Sequence, residues 1–269
     1  MNGDSAKNVA RAAQTSTPLR ALARLGFATN GLLHILIGGL AISVANGAGS
    51  GSADQSGALG QLASTPGGVL LLWTVVIGLF ALGLWLVVAA FLIQGGDPKR
   101  KWSHRGVEVS KAVVYIALAF TAFTFARGSS TSSASSTSQA SATLMSSPGG
   151  VVVLFAGGIL VLAIGAYFAY KGIARKFTSD ISVPPGPAGK VVIALGVAGY
   201  VSKGIALGVV AVLLVVAALT RDPSKSTGLD GALKTLAELP SGAVILGAVG
   251  IGLIAYGLYC FVRALRARL

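Results

Sequence analysis

Six apolar runs of about twenty to twenty-five residues alternate with short polar stretches along the chain. They are Leu25–Asn46, Val69–Ile93, Gly106–Ala126, Val151–Tyr170, Gly196–Leu219 and Ala243–Val262. A helix rises about 1.5 Å per residue, so a run of this length crosses a hydrocarbon core of about 30 Å. The pattern predicts an all-α, polytopic membrane bundle of six transmembrane helices. Between the first two runs, Ala58, Leu59, Leu62 and Ala63 fall on one helical face, which predicts a short interfacial helix. Gly128–Ser147 is almost wholly Ser, Thr and Ala, and composition alone reads it as a flexible linker.

The polar punctuation repeats. Gly57-Ala58-Leu59, Leu62-Ala63 and Pro66 recur as Gly231-Ala232-Leu233, Leu236-Ala237 and Pro240, with a looser copy at Ala140, Leu144 and Pro148. Fifteen residues past each proline stands Ala81, Ala163 or Ala255, and seventeen past it Gly83, Gly165 or Gly257. Nineteen past it comes an aromatic: Trp85, Tyr167 or Tyr259. One spacing kept three times means one unit built three times. The unit is a two-helix membrane hairpin, and the expected architecture is three parallel-repeat hairpins about a pseudo-threefold axis. The boundaries read as a flexible cytoplasmic tail over 1–23, then hairpins over 24–96, 97–176 and 177–269. A basic tail before an apolar run also fits a signal peptide, but the first run aligns with later ones, which argues that it is retained. The glycines are expected as packing notches, since small residues let helices approach in lipid. The aromatics are expected as a belt at the inner interface.

Composition agrees with the pattern: 54% of residues are hydrophobic and only 11% charged, against roughly 25% charged in soluble domains. The net charge of +13 sits in clusters flanking the apolar runs, which is the mark of topology and points away from nucleic acid. With both termini inside, only Arg127, Arg221, Lys225 and Lys234 of the 21 Lys and Arg fall outside. A multi-pass protein of a bacterial plasma membrane, with cytoplasmic termini, is the expectation. Cys260 is the one cysteine, which excludes a disulfide framework and a thiolate metal site.

The first helix of each hairpin carries one polar residue followed by a small one: Asn30-Gly31, Lys111-Ala112 and Lys203-Gly204. His34 and Tyr115 lie four residues beyond the first two, on the same stripe. Span lengths put Lys111 and Lys203 about 6 Å inside the cytoplasmic edge, within reach of the headgroups, so snorkelling is the plain reading. The sharper one has Asn30, Lys111 and Lys203 converge on the axis as a cationic ligand site, with Glu108 pairing Lys111 at i, i+3. His34 has no carboxylate, second histidine or cysteine at ligand spacing, and reads as a hydrogen-bonded, bundle-facing residue; no metal or cofactor is expected.

Ala23-Arg24-Leu25-Gly26-Phe27 leading into Asn30-Gly31-Leu32-Leu33-His34 resembles the first helix of the repeat called domain of unknown function 1206. Gly57-Ala58-Leu59 through Pro66-Gly67-Gly68 to Gly78-Leu79, Ala81 and Trp85 resembles its second helix. The likeness covers about residues 20–269 and implies a bacterial integral membrane protein of three tandem two-helix repeats. The second copy departs most, with Glu108 and Lys111 in its first helix and Leu160 where Gly78 and Gly252 stand. The resemblance implies fold and location, and no activity.

With no paired carboxylates, no nucleophile–His–acid set and no phosphate-binding fingerprint, an enzyme is not expected. The expected function is a ligand- or lipid-binding or partner-associated membrane protein. Its partners would be membrane lipids, an apolar or anionic ligand, or another protein. The alternative is a channel or permease for a small solute along the axis.

Overall fold

The structure is a computed structural model that describes residues 17–48, 51–92 and 98–267. Lys7 and Arg11 of the tail, Asp97 of the basic turn, Ile93 and Arg268 lie outside the described residues. All the regular elements described are helical, and six helices are long and apolar enough to cross a membrane. These are α1 (Thr17–Ala45), α3 (Gly68–Leu92), α4 (Pro98–Ala126), α6 (Gly150–Ile173), α7 (Pro187–Thr220) and α9 (Gly242–Arg266). Three short helices stand within the connections: α2 (Gln55–Ala63), α5 (Ser133–Met145) and α8 (Gly228–Glu238). Each α-hairpin therefore reads long helix, short helix, long helix, three times over.

Three boundaries differ from expectation. α1 starts at Thr17, inside the stretch read as tail, α4 starts at Pro98, eight residues before Gly106, and α7 starts at Pro187, nine residues before Gly196. Proline at the first helical position has no N–H to leave unpaired, so Pro187 opens the helix. The Ser-rich stretch is not a linker. Ser132 caps α5 by accepting the Ser135 N–H at 3.2 Å, and Ser141 is buried. Serine disfavours helix interiors weakly, and here a cap plus bonds to neighbouring loops outweigh that preference.

The chain forms two compact units, Met1–Asn30 with Leu62–Ser129 and Cys260–Leu269, and Gly31–Gln61 with Ser130–Tyr259. In the first, α3 meets α4 where a Cβ on Gly83 would lie 2.6 Å from Ile116 Cγ1 and 3.3 Å from the Ala112 carbonyl oxygen. Phe27, Leu82 and Ala264 form one buried cluster within it, with Tyr115 packed against them.

In the second unit, α6 meets α7 with Gly165 against the Gly204 carbonyl (3.0 Å from a built Cβ) and Gly208 N (3.1 Å). There too α9 meets α1, where a Cβ built on Gly257 would lie 2.5 Å from the Gly31 carbonyl oxygen and 2.6 Å from Ile35 Cγ1. The expected notches are thus real. Each glycine seventeen past its proline faces the small residue that follows a polar one: Ala112, Gly204 and Gly31.

The second unit also holds α5, α8 and most of α2, and each is bonded to another or to the turn that leads into it. Ser56 Oγ accepts the Ser133 N–H (3.2 Å), Ser138 Oγ donates to the Pro223 carbonyl (2.9 Å), and Asp230 Oδ1 accepts the Ala53 N–H (2.7 Å). Ser56, Ser138 and Asp230 stand ten residues before Pro66, Pro148 and Pro240, so one repeat position makes all three bonds.

Candidate functional site

The residues singled out on the polar stripe fall into two groups. In the first unit Asn30 is buried, and its side-chain N–H donates to Cys260 Sγ at 3.4 Å. Tyr115 lies on the Phe27–Leu82–Ala264 core. Lys111 and Glu108 form the expected pair at 2.7 Å, but the lysine side chain is 47% exposed. The neighbouring Ala112 takes the buried position, because it faces Gly83. A pair this open adds at most a few tenths of a kcal/mol as an i, i+3 contact.

In the second unit the chemistry is aromatic. The Lys203 ammonium lies 4.4 Å from the centre of the Tyr256 ring and 5.1 Å from that of Phe168. The His34 ring approaches the same tyrosine, centroids 4.7 Å apart. Tyr256 in turn meets Tyr200 edge-on at 5.2 Å, and Tyr200 stacks on Phe177 at 5.3 Å. A cation on a ring face is attracted by the ring's quadrupole, more strongly when desolvated. This arrangement keeps a positive charge within an otherwise apolar span.

The aromatic belt is corrected. Trp85 and Tyr259 are buried and only Tyr167 is exposed. Tyr259 O–H donates to the Phe177 carbonyl at 3.3 Å, so the ring serves the core and its hydroxyl a buried backbone oxygen. Phe177 sits in a 3₁₀ turn, Lys176–Asp180, fixed by the Lys171–Asp180 pair at 2.6 Å. Phe177 and Tyr200 carry no repeat signature.

Among the described residues no three His, Cys, Asp or Glu side chains gather as a metal ion would need. At the other end of the second unit, an open surface cavity of about 430 Å³ is lined by Ala142, Met145, Ser146, Val151, Arg221 and Pro223, of which Ala142, Ser146 and Arg221 are exposed.

A family model described as Domain of Unknown Function (DUF1206) matches residues 25–92, 109–175 and 198–267. "Uncharacterized protein YxxB" of Bacillus subtilis (strain 168) is 32% identical over 258 residues, which span 94% of this chain and 92% of that one. No solved structure matches the chain. The three matched segments coincide with the three hairpins, and the chain belongs to the domain of unknown function 1206 family.

Proposed function

We propose that the chain is a non-catalytic ligand- or lipid-binding protein of a bacterial plasma membrane, with cytoplasmic termini and three hairpins about a pseudo-threefold axis. The Lys and Arg bias supports the orientation. The three equivalent glycine contacts and the three equivalent loop bonds support the cyclic arrangement.

The single observation behind the binding role is the Lys203 ammonium on the faces of Tyr256 and Phe168. A charge at the centre of a span costs about 2.5–3.5 kcal/mol on insertion scales and less toward the edge, where Lys203 stands, and residues that carry such a cost mark sites. The ligand is an anionic lipid or amphipathic anion approaching from the end of the bundle that holds the termini.

The test is native mass spectrometry of the protein extracted in mild detergent. Lys203→Ala is expected to lower the retained anionic lipid, with Lys203→Arg restoring most of it. Unchanged retention in Lys203→Ala contradicts the role. A channel or permease along the axis is the second reading, favoured by the repeated glycine contacts. Solute flux in liposomes that exceeds that of protein-free vesicles would establish it instead.

A further inference from the structure

Helices α1, α4 and α7 end in the same way. Gly47 N–H bonds the Val44 carbonyl while Ala48 N–H bonds that of Ser43; Gly128 bonds Phe125 while Ser129 bonds Thr124. Arg221 bonds Ala218 while Asp222 bonds Ala217. Each is a Schellman ending, whose key residue takes the left-handed backbone conformation that glycine adopts freely. Gly47 (φ 71°) and Gly128 (φ 79°) meet that demand without cost. The third copy puts Arg221 there instead, at φ 53°. A side chain held in that region is strained, and such strain concentrates at ligand sites.

The Arg221 side chain, exposed to the surroundings, lines the open cavity of about 430 Å³. Among the described residues no ion pair or hydrogen bond engages the Arg221 guanidinium. Asp222, next in the chain, directs Oδ1 to the Ser224 N–H (3.0 Å) and O–H (2.6 Å). The remaining walls are Met145 and Ala142 of α5, Val151 at the start of α6, Pro223, and Ser146, whose hydroxyl donates to the Thr143 carbonyl at 2.8 Å. The cavity lies where one apolar span ends and another begins, the depth of a headgroup. A forked cation beside apolar walls at that depth matches a phosphate joined to an apolar body.

We infer that this cavity binds the phosphate of an anionic phospholipid, held by Arg221 with the glycerol and upper acyl carbons against Met145 and Val151. The inference rests on the six-span membrane reading and is independent of the Lys203 site.

The test uses the full chain in detergent, titrated in separate arms with phosphatidylglycerol, phosphatidylcholine and inorganic phosphate, reading the thermal midpoint and the lipid retained by native mass spectrometry. Phosphatidylglycerol is expected to raise the midpoint most, phosphatidylcholine less because its choline cation competes with Arg221 for the phosphate, and inorganic phosphate little. Arg221→Gly is expected to fold with an equal or higher midpoint than the parent, because glycine relieves the strain, yet to retain about ten-fold less phosphatidylglycerol, the loss of one charge-assisted contact. Val151→Trp, which fills the cavity and leaves the charge, should lower retention as well. Lys203→Ala should leave this component of binding in place. Undiminished retention in Arg221→Gly overturns the inference. So does a response to inorganic phosphate equal to that to the lipid, or loss of all retention in Lys203→Ala alone.

Discussion

Removing the Asp230 carboxylate tests the cap of short helices at its strongest bond. Asp230 is 6% exposed, and its Oδ1 accepts the N–H of Ala53, which is itself buried. Its Oδ2 pairs with Lys234 at 2.8 Å, but that lysine side chain is 46% exposed. A hydrogen bond to a charged acceptor is worth about 1.5–3 kcal/mol. The half-exposed ion pair adds well under about 1 kcal/mol after screening. Asp230→Ala should therefore cost about 2–3 kcal/mol, most of it from leaving the Ala53 N–H buried and unpaired. Asp230→Asn keeps an acceptor and should lose about half as much, while Lys234→Ala should lose less than about 1 kcal/mol. Hydrogen exchange at the Ala53 amide in detergent micelles reads the local part directly. At about 1.4 kcal/mol per decade, its exchange should accelerate by about thirty- to a hundred-fold in Asp230→Ala. An Ala53 amide that exchanges as slowly in Asp230→Ala as in the parent would refute the reasoning.

Leucine at Gly83, Gly165 or Gly257 should destabilise the protein by at least about 1–3 kcal/mol in reversible denaturation, since each faces a helix backbone or an isoleucine. Alanine at Gly39 or Gly247, where a Cβ meets open space, should be tolerated in the same assay. Hydrogen bonds from the Ser224 hydroxyl and N–H, in that order, hold the Asp222 carboxyl below its ordinary value. Its contribution is therefore fully present above that ordinary value and fades as pH falls through the lowered one. Asp222→Asn should flatten the acid limb of the thermal midpoint against pH, and an unchanged limb would remove Asp222 as a cause.

Most of the architecture was legible because lipid leaves a chain few options. Six long apolar runs become six helices, and a spacing kept three times becomes one hairpin built three times. Gly83, Gly165 and Gly257 were readable as notches for the same reason. The misreadings came from letting composition speak over position. Gly128–Ser147 reads as a flexible linker by composition, yet its helix α5 occupies the place of α2 and α8, and Ser138 makes the bond that Ser56 and Asp230 make. Repeat position was the better witness there.

Trp85 and Tyr259 misled in the opposite way. Their distance along the helix matched an interface, but depth does not fix which face a side chain takes, and both turn into the core. The stripe through Asn30, Lys111 and Lys203 shows the same limit. Neighbouring residues on a helix differ by about 100°, and in α4 it is Ala112 rather than Lys111 that takes the buried side. The aromatic setting of Lys203 was not legible at all, since Phe168, Tyr200 and Tyr256 come together only through the packing of three separate helices.

The central claim is that one membrane hairpin is used three times, the second helix of each seated by its glycine on the first helix of the next. An electron cryo-microscopy map of the protein in lipid nanodiscs tests this most directly. The account predicts that successive rotations of about 120° superpose the hairpins, with Gly83 on Ala112, Gly165 on Gly204 and Gly257 on Gly31. Hairpins related by no common rotation, or any of those three glycines facing acyl chains, would contradict it.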